Sequence, residues 1–183
     1  DLIVGEIPCL QQMAAAYEFH RGSILGVEEV PKGDTDKYGI VEIESGNGKV
    51  NRVTSIVEKP KPAVAPSNLA VVGRYVLTPT IFDDLRHIGQ GAGGEIQLTD
   101  GIARLMTHEA VYAHRFEGKR YDCGSKLGYL QATVAYALDH PQLGKPFRAH
   151  LLELAGQLRR QRPKRKRPAK VARKVGRKQK SAG

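Results

Sequence analysis

The residues from Tyr38 to Tyr75 constrain this chain most. Tyr38-Gly39-Ile40-Val41-Glu42-Ile43-Glu44 alternates apolar and polar side chains, which is the period of a half-buried strand. Ser45-Gly46-Asn47-Gly48 is a turn signal, and Val50 to Glu58 returns as a second strand, so a hairpin is expected. The second strand ends in Val57-Glu58-Lys59-Pro60-Lys61-Pro62, where the prolines cannot donate to a ladder and stop it. Pro60 to Asn68 reads as a loop, and Leu69 to Leu77 as a strongly apolar strand. Three strands within one short segment demand a sheet.

Helices are interleaved with the remaining strands. Leu2 to Val4 reads as a short strand and Ile24 to Val30 as a longer one, separated by a helix over Pro8 to His20 with Leu10, Met13, Ala14 and Tyr17 at helical spacing. Pro31 to Lys37 reads as a polar loop. Thr78-Pro79 is a helix start, with a capping hydroxyl and a proline in the first turn, and Ile81, Leu85 and Ile88 form its stripe. A second helix is expected over Glu95 to Thr107 and a strand over Ala110 to Phe116. Gly118 to Gly124 reads as a polar loop, Leu127 to His140 as a helix with Leu127, Leu130, Val134 and Leu138 on one face, and Phe147 to Leu158 as a last amphipathic helix. The fold class is α/β, with a mixed sheet flanked by helices on both faces.

The charge is unevenly placed. The chain of 183 residues carries a formal +10, yet residues 159–183 hold 13 Lys/Arg and no Asp or Glu. Residues 1–158 therefore carry 16 basic against 19 acidic side chains, a net of −3. The body is a mildly acidic domain over residues 1–156, followed by a basic tail over 157–183. So few apolar residues among so many like charges cannot build a core, and disorder is expected. The tail can bind a polyanion through phosphate contacts or remain a solvated extension; no aromatic residues are interleaved for base stacking. Cys9 and Cys123 form no disulfide framework or metal quartet and read as small buried side chains, which suits a reducing compartment and a cytoplasmic location. No apolar run reaches membrane-spanning length and no signal peptide is visible.

Several familiar chemistries find no support. Gly89 to Gly94 fits G-x-G-x-x-G, but it follows a helix instead of a strand, so a dinucleotide site is rejected. The six histidines show no H-x-H or H-E-x-x-H pairing, and there is no G-x-S-x-G elbow. Two segments remain. Glu58 and Lys59 would point to opposite faces within a strand, but at its fraying end both can reach one cleft. A carboxylate suits sugar hydroxyls and an ammonium suits a phosphate, so the pair is either a minimal sugar-phosphate grip or an exposed ion pair before a turn. Asp122, in Lys119-Arg120-Tyr121-Asp122-Cys123-Gly124, lies between a strand and a helix, where ligands of α/β sheets bind. It either caps the following helix or holds Mg²⁺, which prefers one or two carboxylates plus substrate phosphates.

Taken in order, these segments resemble the bacterial UTP–glucose-1-phosphate uridylyltransferases, also called UDP-glucose pyrophosphorylases. The resemblance is carried by Lys37-Tyr38-Gly39-Ile40-Val41, Val57-Glu58-Lys59-Pro60-Lys61, Ala65-Pro66-Ser67-Asn68-Leu69-Ala70, Val72-Gly73-Arg74-Tyr75, Gly91 to Asp100 and Tyr121 to Tyr129. It covers about residues 1–155 and corresponds to the C-terminal portion of the family's Rossmann-like nucleotidyltransferase domain, which is therefore incomplete here. Related sugar-phosphate nucleotidyltransferases, thymidylyltransferases among them, share the E-K-P and S-N-x-A elements. The G-E-I-Q-L-T-D and D-C-G-x-K-L-G-Y runs point to the glucose/UTP branch.

The resemblance implies Mg²⁺-dependent formation of UDP-glucose and pyrophosphate from UTP and glucose 1-phosphate. By resemblance, the Gly39 backbone and the Glu58 carboxylate hold glucose hydroxyls, and Lys59 holds the sugar phosphate as the catalytic cation. Val71, Gly73 and Tyr75 line the sugar pocket, Asp122 binds the metal, and Glu95 and Asp100 support nearby loops. The family's other metal carboxylate lies at the strand where this chain begins, and Asp1 is read as its neighbour. The family's G-x-G-T-R triphosphate loop does not occur in residues 1–183. The chain is thus expected to carry the sugar half of a site, to be inactive alone, and to form homo-oligomers when full-length.

Overall fold

The computed structural model describes residues 1–46, 48–91 and 94–161. It comprises two compact units, Asp1–Thr133 and Val134–Gly183, with the boundary inside a helix.

Within the first unit, five strands close on themselves: β2 (Ser23–Glu29), β3 (Gly39–Ile43), β4 (Val50–Glu58), β5 (Leu69–Val76) and β6 (Val111–Arg115). The order is β2-β5-β3-β4-β6, and β6 returns to β2. Only the β2–β6 pair is parallel; the other four are antiparallel, so the sheet is mixed, as expected. The predicted hairpin is β3–β4, with Gly39 opposite Glu58.

Alternating side chains give this sheet two buried faces. Leu25, Val27, Val41, Val53, Ile56, Leu69, Val71, Val111 and Ala113 draw all five strands into one interior. Ile81 of α2 (Ile81–His87) and Ile102 and Leu105 of α3 (Leu98–Leu105) complete it. On the other face, Cys9, Met13 and Ala16 of α1 (Cys9–His20) pack on Ile24, with Val76 and Tyr112 around them. Met13, Ile24, Leu25 and Ile102 are fully buried, and each such side chain contributes about 1.5–3 kcal/mol.

Several elements depart from expectation. The segment read as a polar loop at Pro31–Lys37 winds as a 3₁₀ helix over Lys32–Lys37. A three-residue strand, β7 (Lys119–Tyr121), lies within the other predicted loop. It pairs antiparallel with β1 (Leu2–Val4), Leu2 facing Tyr121, and its charged Lys119-Arg120 leaves it without an apolar strand pattern. Thr78 does not cap α2. Its hydroxyl donates to Glu109 Oε2 at 2.6 Å, and the helix begins at Ile81 without a side-chain cap. Helix α3 starts at Leu98 instead of Glu95, because the preceding residues close a loop: Gly91 N–H donates to Glu95 O at 2.8 Å, and Gly94 is left-handed at φ +78°.

Helix α4 (Lys126–Asp139) exists where predicted but buries a different face. Leu127 and Leu130 are 66% and 60% exposed, while Gly128 and Ala132 are buried. Gly128 comes so close to the Asp122 carbonyl that any Cβ there would collide with it. Small residues one turn apart let the helix settle on that turn, and the leucines are left outside.

In the second unit, α5 spans Gly144–Gln161, longer at both ends than predicted, with Pro146 in its first turn. Gly144 N–H donates to His140 O at 2.8 Å. Leu154 and Leu158, apolar residues of this amphipathic helix, are exposed. Of the basic tail, the helix carries residues through Gln161; the rest lies outside the described residues.

Candidate functional site

The interior of the closed sheet becomes polar at one end. Gly39, Val41 and Ile43 alternate onto this face from β3, and Ile56 and Glu58 from β4. Opposite registers bring Gly39 and Glu58 together at the rim. A Cβ on Gly39 would sit 3.4 Å from Glu58 Oε2 and 2.9 Å from the Thr99 methyl carbon, so only glycine fits between the carboxylate and the start of α3. Tyr75 lies close to this group. Burial pushes its phenol pKa up, and the Glu58 carboxylate pushes it further, so the hydroxyl stays protonated beside a negative charge. Thr99 is buried, and its hydroxyl has no partner among the described residues.

Lys59 sits where β4 stops. Its φ is +44°, a left-handed conformation costly for a residue with a Cβ, by about 1–3 kcal/mol. Its N–H still donates to Tyr38 O at 3.0 Å, one step past the Gly39–Glu58 pair. The kink breaks the strand's alternation, and Lys59 Nζ comes 3.4 Å from Glu58 Oε1. The Lys59 side chain is largely exposed and the Glu58 side chain mostly buried, so the ammonium lies on the solvent side of the carboxylate. Gly39, Glu58 and Lys59 therefore form one group, and the Tyr75 phenol lies near enough for the Glu58 charge to raise its pKa.

Val71 and Gly73 belong to the same strand as Tyr75. Val71 is buried in the shared interior. Between Leu25–Tyr75 and Val27–Val71 the β2–β5 register shifts, and Gly73 occupies the bulge at φ +67° with open space where a side chain would be. Glu95 is exposed, and its backbone carbonyl closes the loop before α3. The Asp100 carboxylate would lie 3.0 Å from a Cβ on Gly91 and so borders the same loop.

Asp122 follows directly on β7. Its Oδ1 accepts the Gly124 N–H at 2.9 Å. The helix cap is Ser125, whose hydroxyl oxygen accepts the Gly128 N–H at 3.0 Å, so the Asp122 carboxylate is not spent on capping. One step beyond Leu2–Tyr121, the β1–β7 ribbon brings Asp1 to its Asp122 end. Asp1 is engaged elsewhere: Arg120 Nε lies 2.8 Å from its Oδ2, and Arg74 donates to its carbonyl at 2.7 Å. Among the described residues no three or more His, Cys, Asp or Glu side chains gather into a metal cage. A lone, solvent-reaching carboxylate fits Mg²⁺ that takes its other oxygens from phosphates and water, and does not fit zinc.

Thr99 is the participant that sequence reasoning left out. It lies in the G-E-I-Q-L-T-D run, but nothing in that run separates a threonine at the rim from one on a helix surface.

Comparisons with known proteins place the chain in a family. The family model described as nucleotidyl transferase matches residues 2–138. A UTP–glucose-1-phosphate uridylyltransferase of Staphylococcus epidermidis is 46% identical over 154 residues, which are 84% of this chain and 54% of that protein. UTP–glucose-1-phosphate uridylyltransferase 2 of Staphylococcus saprophyticus is 51% identical over 138 residues, 75% of this chain and 48% of that protein. A crystal structure of UDP-glucose pyrophosphorylase complexed with UDP-glucose superposes with a TM-score of 0.72 at 40% identity, over 76% of this chain and 54% of that one. The chain spans about half the length of the curated relatives it matches. With three quarters of its residues matched by one family model, the chain belongs to the nucleotidyl transferase family.

Proposed function

We propose that this chain carries the sugar-phosphate and metal side of a site that makes UDP-glucose and pyrophosphate from UTP and glucose 1-phosphate. The observation that carries the reading is the rim where Gly39, Glu58 and Lys59 meet, with the Tyr75 phenol within range of the Glu58 charge. Glu58 and the Gly39 backbone hold glucose hydroxyls, and Tyr75 presents a protonated phenol beside them. Val71 closes the pocket on its apolar side, and the open bulge at Gly73 leaves room for the ring. Lys59, kinked out of the strand, holds the phosphate with its exposed ammonium.

In the reaction, a phosphate oxygen of glucose 1-phosphate attacks the α-phosphorus of UTP. The new P–O bond forms as the bond to the β-phosphate oxygen breaks, and pyrophosphate leaves with that electron pair. No proton needs to move, so the protein mainly positions reactants and neutralises charge. Asp122 would hold Mg²⁺, which supplies positive charge to the phosphates. Lys59 keeps the attacking oxygen in line, and the half-buried rim keeps water from the sugar.

Uridylyl transfer is favoured over thymidylyl transfer because the relatives at 46% and 51% identity are both named for UTP. Both cysteines are free, which supports a cytoplasmic location. Among the described residues no helix is long and apolar enough to cross a membrane. The exposed leucines at 127 and 130 on α4 favour a homo-oligomer when the site is complete.

Calorimetry on residues 1–183 tests the reading. Glucose 1-phosphate should bind more tightly than inorganic phosphate. Glu58→Gln should weaken the sugar phosphate about tenfold or more, the loss of a hydrogen bond to a charged group, and leave inorganic phosphate nearly unchanged. Equal binding of the two ligands, or indifference to Glu58→Gln, would remove the proposal.

A further inference from the structure

Arg120 is the most completely engaged charged side chain near the rim. It stands on β7, two residues before Asp122, with its side chain only 7% exposed. Its Nε lies 2.8 Å from Asp1 Oδ2, one terminal nitrogen lies 3.0 Å from Glu28 Oε2, and the other donates to Tyr38 Oη at 3.2 Å. Its guanidinium carbon also lies 5.0 Å from the Tyr38 ring centre. The fork geometry of arginine allows all three bonds at once, which a lysine cannot reproduce. Burial works against the charge, but the hydrogen bonds to Tyr38 and Glu28 outweigh it and hold the pKa above the ordinary arginine value.

Each partner of this guanidinium borders one part of the proposed site. Asp1 precedes β1, and the pairing of Leu2 with Tyr121 brings it to the Asp122 end of the ribbon. Tyr38 immediately precedes Gly39, and its carbonyl accepts the Lys59 N–H at 3.0 Å. Glu28 belongs to β2, a strand of the closed sheet, and lies on its outer face. The ribbon pairs with none of the five strands of that sheet. Ile3 packs against the α1 cluster and Arg74 donates to the Asp1 carbonyl, so the ribbon is seated on the body, but it is the Arg120 bond to Tyr38 Oη that ties it to the sugar-phosphate corner. Phosphoryl chemistry is sensitive to the spacing of the two, since a misplacement of about 1 Å can cost two orders of magnitude in rate.

We infer that Arg120 is a positioning residue that fixes the Asp122 ribbon against the Tyr38–Gly39–Lys59 corner, so that metal and sugar phosphate bind as one unit. The inference rests on the function proposed above. It requires that metal and sugar phosphate favour each other's binding, and that this coupling passes through the Tyr38 hydroxyl and the Arg120 fork. By linkage, the factor by which Mg²⁺ tightens glucose 1-phosphate equals the factor by which glucose 1-phosphate tightens Mg²⁺.

The experiment is calorimetry of residues 1–183 with glucose 1-phosphate, with and without Mg²⁺, in the parent chain and in Tyr38→Phe and Arg120→Lys. In the parent chain Mg²⁺ should tighten glucose 1-phosphate by about fivefold or more, the usual scale of such couplings. Tyr38→Phe removes one hydroxyl and keeps the ring, so the fold is retained. It should bring the factor close to one while binding without Mg²⁺ stays within about threefold. Arg120→Lys, which keeps the charge and loses the fork, should do the same. A merely structural role would weaken binding equally with and without Mg²⁺, and that result overturns the inference, as does a coupling factor unchanged in Tyr38→Phe. If the parent chain binds no glucose 1-phosphate at all, the proposed function falls and this inference falls with it.

Discussion

Individual residues in this chain do work that their neighbours in sequence do not reveal. Gly39 is a glycine because a Cβ would strike Thr99 and crowd Glu58. Lys59 accepts a left-handed backbone and thereby reaches the carboxylate beside it. His114, on β6, shows the same dependence on packing. It is buried, its Nε2 lies 3.5 Å from Gln12 Oε1, and its Nδ1 has no partner among the described residues. Burial first, and then the Lys49 ammonium, lower its pKa below the ordinary 6.5; Glu117, ion-paired to Lys49, acts the other way. The folded state therefore favours neutral imidazole, and the unfolded chain takes up the proton more readily. That stability is present above pH 6.5 and is lost as pH falls through the lowered folded value. Urea midpoints measured on either side of this window should drop on acidification for the parent chain and drop less for His114→Gln. Parallel losses in the two proteins would show that His114 is not the group responsible.

At the scale of elements, the helices are placed by what lies against them more than by their apolar stripes. Helix α4 presents Gly128 and Ala132 inward, because Gly128 lies directly on the Asp122 turn. Gly128 of α4 and Gly156 of α5 should consequently respond oppositely to alanine. Gly156 of α5 has only the end of the Arg160 side chain near it, at 3.9 Å. There Gly156→Ala should stabilise by up to about 1 kcal/mol, the usual gain in helix propensity. Gly128→Ala meets a backbone carbonyl, and the overpacking should cost about 1–3 kcal/mol despite the same gain. Chemical denaturation of the two variants checks the signs; stabilisation by Gly128→Ala would show that the turn yields freely.

Across the whole molecule, charge separates a mildly acidic body from a basic end. If residues 159–183 bind polyanions, the association is electrostatic and must weaken steeply with salt, roughly one unit of logarithmic slope for each phosphate neutralised. Duplex DNA at low salt should then shift in a gel with residues 1–183 and not with residues 1–158. Absence of a shift at low salt removes this partner and leaves the body's sugar-phosphate chemistry untouched. Catalysis is a separate question at this scale: the G-x-G-T-R loop of the resembled family does not occur in these 183 residues, while the Glu58–Lys59 corner does.

Much of this was legible before any coordinates. The β3–β4 hairpin, the apolar β5 and helix α1 follow from periods of 2 and 3.6 that local chemistry imposes, and their limits differ from expectation by a residue or so. The Glu58-Lys59-Pro60 run marked the corner, since a proline must end a ladder. The sheet's closure, the short β7, the exposed leucines of α4 and the Thr99 contact with Gly39 were not legible. Each is a pairing of residues distant in sequence, set by which surfaces exclude one another in three dimensions. Sequence alone determined the elements and the chemistry at their ends; the tertiary structure decided which ends meet, because register and close packing are properties of pairs of elements and not of any one of them.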